Sequence, residues 1–271
     1  MYNKQSILLA ILLLAFSLTV FGQKWKLNRY EIYGGLGSAN FFGDIGGSAD
    51  VNNMFGLKDL KINTTGPSMY FAASYRINPS FTAKIDVVYG YMMGNDEGSL
   101  NGLNGRDLVF RTNAIETSTQ IEYSIITDVN RKTSFARFNS KGMLNSQNIF
   151  NLYVFTGFGN LFYAPSVSGN SAIGNVGVQQ FAGNTLVIPA GIGFKTNIQP
   201  RISINLELGG RYTFSDFVDG YASQYSKYND VYYFFAATLS YKLRTGRNGW
   251  PIIFPNGRPD WLKFGGKLGV F

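Results

Sequence analysis

Val231 to Leu243 reads VYYFFAATLSYKL, and its two faces differ sharply. Val231, Tyr233, Phe235, Ala237, Leu239, Tyr241 and Leu243 form one face, all apolar or aromatic. Thr238, Ser240 and Lys242 lie on the other, after Tyr232, Phe234 and Ala236. Side chains alternate along a strand, so an unbroken apolar face opposite a polar one marks a half-buried strand.

Seven earlier segments can hold strands of membrane-spanning length, about nine to eleven residues. They are Arg29–Phe42, Pro67–Ile77, Phe81–Met92, Phe110–Ile126, Phe150–Tyr163, Leu186–Ile198 and the run from Arg201 to Phe214. The last is the cleanest: Ile202, Ile204, Leu206 and Leu208 alternate with Arg201, Ser203, Asn205 and Glu207. Phe150–Tyr163 is apolar on both faces, which leaves its register open.

Connections alternate in length. INPS (77–80) and NIQP (197–200) are short Asn/Pro turns, whereas Gly43–Gly66, Gly94–Leu108, Ala164–Thr185 and Ser215–Asp230 are long, polar and rich in Gly and Asn. Short periplasmic turns and long outer loops are the pattern of outer-membrane barrels. Thr127–Asn148 breaks it, being a long link on the turn side that carries Arg131, Lys132, Arg137 and Lys141.

Residues 1–22 read as an export signal: Lys4, an apolar run from Ile7 to Phe21, and Val20 and Gly22 before a cut at Gln23. The competing reading, a membrane anchor, needs a longer run. Aromatic residues make up 16 %, there are 32 Gly, and charged residues are only 15 %, below the roughly one quarter usual in soluble domains. A soluble barrel also alternates but keeps its apolar face inside. Export, few charges and aromatic strand ends favour lipid outside. The expected fold is therefore all-β, an eight-stranded antiparallel up-and-down transmembrane barrel over 23–243, followed by a basic, aromatic periplasmic tail over 244–271.

On this plan the inward faces carry Glu31, Asp86, Glu116, Glu122 and Glu207 against Arg76, Lys84, Lys195, Arg201, Arg211 and Lys242. Eight strands leave a lumen just wide enough for side chains, and buried charges persist there only if paired. A salt-bridged, filled interior is the expectation, and an ion pathway the weaker alternative. The outer connections are net acidic, while the turn side and tail are basic. The tail mixes Arg244, Arg247, Arg258, Lys263 and Lys267 with Trp250, Trp261 and Phe264, residue types suited to docking a partner or to capping the barrel mouth.

The chain has no His and no Cys, which removes the usual general base, thiol chemistry and the common ligands of zinc. No catalytic residue, cofactor or metal is expected, and no nucleic acid. DIGGSAD (44–50) lacks the ligand density of a calcium site, and GGLGSA (34–39) sits in a strand and reads as close backbone approach rather than a phosphate loop. The expected partners are outer-membrane lipid and a periplasmic protein.

YEIYGGLGSANFFGDIGG, from Tyr30, with GPSMYFAASYRINPSF and VVYGYMMGNDE after it, resembles the PorG-like outer-membrane barrels of Bacteroidota. That resemblance covers about residues 30–97. It implies a non-enzymatic barrel anchoring the periplasmic ring of the type IX secretion and gliding machinery. The alternative reading is an autonomous small barrel for adhesion, envelope integrity or small-solute passage.

Overall fold

The computed structural model describes residues 24–42, 45, 64–95, 108–127, 135–139, 142–146, 150–169, 181–221, 229–246 and 248–252. The expected export signal, most of the long connections, Arg131, Lys132 and Lys141 of the link, and Arg247, Arg258, Trp261, Lys263, Phe264 and Lys267 of the tail lie outside the described residues.

In chain order the strands are β1 (Tyr30–Phe42), β2 (Gly66–Arg76), β3 (Phe81–Asn95), β4 (Val109–Ile126), β5 (Phe135–Asn139), β6 (Gly142–Ser146), β7 (Phe150–Ser168), β8 (Gly183–Asn197), β9 (Ile202–Thr213), β10 (Val231–Thr245) and β11 (Pro251–Ile252). Eight of them form one antiparallel sheet in the order β1-β2-β3-β4-β7-β8-β9-β10. β10 then returns to β1, from Tyr30 opposite Leu243 to Phe42 opposite Val231, and closes the barrel. Closure pairs backbone groups that lipid could not satisfy.

Side chains alternate as the pleat requires. In β4, Glu116, Ser118, Gln120 and Glu122 point inward and are buried, while Ile115, Ile121 and Tyr123 are exposed on the outer wall. Leu36, Phe71, Ile85, Leu206 and Leu239 continue that apolar wall around the barrel. Such a surface is unfavourable in water by roughly 25 cal/mol per Å² and favourable in hydrocarbon. Aromatic pairs mark the turn end of the wall: Tyr30–Tyr75 at 5.0 Å, Phe81–Tyr123 at 5.1 Å and Phe150–Phe194 at 5.9 Å between ring centres. Phe42–Tyr233 and Tyr212–Phe214 mark the loop end. Among the described residues no helix is long and apolar enough to cross a membrane.

β7, whose sequence leaves its register open, turns Asn151, Tyr153, Phe155, Leu161 and Tyr163 inward and Val154, Phe158 and Phe162 outward. Inward aromatic rings fit because the facing wall is glycine: a Cβ on Gly209 would lie 2.7 Å from the Phe155 ring. The GGLGSA run behaves as its sequence suggests. A Cβ on Gly35 would meet the β10 backbone, with Thr238 Cα only 2.6 Å away. The Thr127–Asn148 link is not wholly irregular, since β5 and β6 form a separate hairpin within it.

Candidate functional site

The lumen is an ionic core. Lys84, fully buried, places its ammonium 2.9 Å from Glu122 and 2.8 Å from Glu207, while Tyr153 donates its hydroxyl to Glu207 at 2.6 Å. Nearer the turn end, Glu31 pairs with Lys195 and accepts from the Tyr33 hydroxyl at 2.8 Å, and Lys242 donates to Asn197 at 2.7 Å. Nearer the loop end, Arg211 lies 3.3 Å from Glu116, which also accepts from the Tyr232 hydroxyl at 2.8 Å. Asp86 is held by neutral donors, Tyr70 at 3.1 Å, Gln120 at 2.6 Å and the Ser118 hydroxyl. Arg76 is also buried. Arg201 is half-buried in the turn before β9, where its carbonyl accepts the Lys242 backbone N–H.

Desolvating so many charges is costly unless each finds partners, and these do, across strands distant in sequence. The ion pairs therefore tie opposite walls of the barrel together. Among the described residues, no three His, Cys, Asp or Glu side chains gather in a way that would hold a metal ion.

Above the ionic core the lumen is apolar, packed with Phe41, Met92, Phe110, Leu161 and Val187. A stopper from the β9–β10 connection completes it. Val218 is buried there; its carbonyl accepts from the Thr112 hydroxyl and its N–H donates to Asp230, each at 2.8 Å. Asp219, also buried, accepts the N–H of Tyr221 at 3.0 Å and that of Ile45, from the β1–β2 connection, at 3.1 Å. Two loops are thus stitched together over the mouth. Val218 lies in the Ser215–Asp230 connection, outside every segment that reads as a strand, so the strand pattern does not mark it as core.

At the turn end the chain termini of the barrel meet. A 3-10 helix, Lys24–Leu27, brings Trp25 over the Arg29 guanidinium at 4.8 Å, and Arg29 donates to the Tyr75 hydroxyl at 2.7 Å. The start of the tail folds back on β10: Gly246 donates to the Trp250 carbonyl at 2.8 Å, and Ile252 registers with Arg244. Gly249, at φ 80°, makes the tight turn that only glycine adopts readily. The Tyr30 hydroxyl donates to its carbonyl at 3.1 Å. This hairpin leaves Trp250 74 % exposed, and Arg244 at its base is exposed as well.

A closed, even-stranded barrel with lipid-compatible side chains outside, charges inside, short turns at one end and long loops at the other is a protein of the outer membrane, with its turn end in the periplasm. The chain belongs to the family described as Domain of unknown function (DUF6089), which matches residues 5–243. The tail from Arg244 onward lies beyond that match. No curated protein matches the sequence. Solved structures of similar shape include the outer membrane protein OprG from Pseudomonas aeruginosa, at 10% identity and TM-score 0.43 over 80% of this chain and 96% of that one. The N-terminal β-barrel domain of Pseudomonas aeruginosa OprF is 11% identical with TM-score 0.40, over 80% of this chain and 98% of that one. The fold assignment rests on the closed ladder itself.

Proposed function

We propose that this barrel is a non-enzymatic membrane anchor whose turn end docks a periplasmic protein. Its filled lumen serves rigidity: the carboxylates Glu116, Glu122 and Glu207 are each engaged by a cation, and a chain without His or Cys has no general base or nucleophile of the usual kind beside them. The observation that carries the docking reading is Trp250, exposed yet held on a hairpin that pairs back on β10 at exposed Arg244 and is tied through the Gly249 carbonyl to Tyr30. Trp and Arg are the residue types that concentrate binding energy at interfaces. The PorG-like resemblance of residues 30–97 suggests the partner class: a component of the periplasmic ring of the type IX secretion machinery. A second reading, an autonomous barrel acting through its outer loops, draws on the Asp219–Ile45 stitch that holds two loops together.

The test is affinity capture after mild cross-linking of envelopes, comparing the full chain with one lacking 246–271. Loss of a periplasmic protein on deletion, while the barrel still shows folded mobility on gels, supports docking. The same captured proteins with and without the tail would sink it and favour the outer-loop reading.

A further inference from the structure

One stretch of the outer wall is not apolar. On β4, Thr117 and Thr119 share the lipid-facing side with Ile115 and Ile121; on β7, Thr156 and Asn160 do the same. The register gathers them: Thr117 lies opposite Asn160, and Ile121 opposite Thr156. The bordering strands present Ile85 and Val87 on one side and Leu186 and Ala190 on the other. Asn113, one step nearer the loop end, already accepts from the Tyr89 hydroxyl at 2.7 Å. No such bond among the described residues engages the side chains of Thr117, Thr119, Thr156 or Asn160.

A second irregularity adjoins this patch. The β7–β8 ladder pairs Thr156 with Ala190 and resumes at Gly159 with Val187, so Gly157, Phe158, Ile188 and Pro189 fall outside it. Pro189 has no N–H to give. Phe158, at the gap, is 77 % exposed. Hydrocarbon offers hydrogen bonds neither to the side chains nor to the loosened backbone, whereas a protein surface does.

We infer that the β4–β7 wall is an interface with a second copy of this chain, related by a two-fold axis along the membrane normal. Outer-membrane barrels insert in one direction, so such an axis holds the two patches at the same depth and sets residue i of one copy against residue j of the other, and j against i. Asn and Thr are both donor and acceptor and pair with themselves; the patch carries no charge that would repel its copy.

The absence of native Cys makes the test direct. Single variants T117C and N160C, in the otherwise intact chain in native outer membranes, are oxidised alongside L239C, an exposed position on β10 across the barrel. The expected result is a shift to twice the monomer mass for T117C or N160C and none for L239C. Cross-linking no greater than that of L239C, or a product containing a different protein, overturns the inference. As a check that does not depend on cysteine chemistry, a T117V/T119V/N160L variant should lose the dimer peak seen for the wild type in native mass spectrometry; retention of the peak overturns it equally.

Discussion

Replacing Lys84 with Met tests the ionic core at its centre. The ammonium sits within 3 Å of two carboxylates, 2.8 Å from Glu207 and 2.9 Å from Glu122, and all three side chains are buried. Each contact carries a bare attraction on the order of 5 kcal/mol at an effective dielectric of about 20. Desolvation of the three ions offsets most of that, so the intact cluster contributes little net stability. Removing only the cation exposes the penalty, because two like charges remain buried and face each other. The expected loss for K84M is about 3–5 kcal/mol. Removing the acids as well, in K84M/E122M/E207Q, should recover most of it, because the amide oxygen introduced by E207Q still accepts from Tyr153. Urea unfolding in phospholipid vesicles, followed by tryptophan fluorescence, measures both. A K84M variant within about 0.5 kcal/mol of wild type, or a triple variant no better than K84M, would refute the reasoning.

Other outcomes follow from the same geometry. G35V should drive a side chain into the β10 backbone, where Thr238 Cα would lie 2.6 Å from the new Cβ, and cost about 3 kcal/mol or more, read as a loss of the fast-migrating folded band on gels. D219A should leave the amides of Ile45 and Tyr221 without their acceptor, costing about 1–3 kcal/mol and speeding cleavage of the outer loops by protease added to intact cells; unchanged cleavage would count against the stitched mouth. Y30F should loosen the hairpin that presents Trp250, seen as a red-shifted tryptophan emission with little change in barrel stability.

The barrel is legible in the sequence wherever one face meets lipid and the other meets charge. β10 and β9 alternate cleanly because their inward positions below the aromatic zone are polar apart from Gly209 and Ala236, so a period of two survives. β7 is ambiguous for a physical reason: its inward residues Tyr153 and Phe155 are themselves aromatic, fitted against glycines of β8 and β9, which erases the contrast between faces. The polar patch on β4 is hidden by the same alternation. Thr117 and Thr119 look like inward residues by type, yet their parity with Ile115 and Ile121 places them outside. The stopper depends on a loop returning over the mouth, a non-local event that composition does not encode. The β5–β6 hairpin escapes a pattern search because each strand has only five residues, too few for a period to emerge. The start of the tail turns back through Gly249, whereas sequence alone leaves self-capping and docking equally open.

The proposed anchoring role requires a lumen filled by the Lys84–Glu122–Glu207 cluster and stoppered at Val218. Planar-bilayer recording on the purified full chain tests it most directly. The expected trace is flat, with no unitary steps under voltage. Stable steps that change in size or ion preference in E207Q would contradict it, because they would require an open path past the residues that here close the barrel.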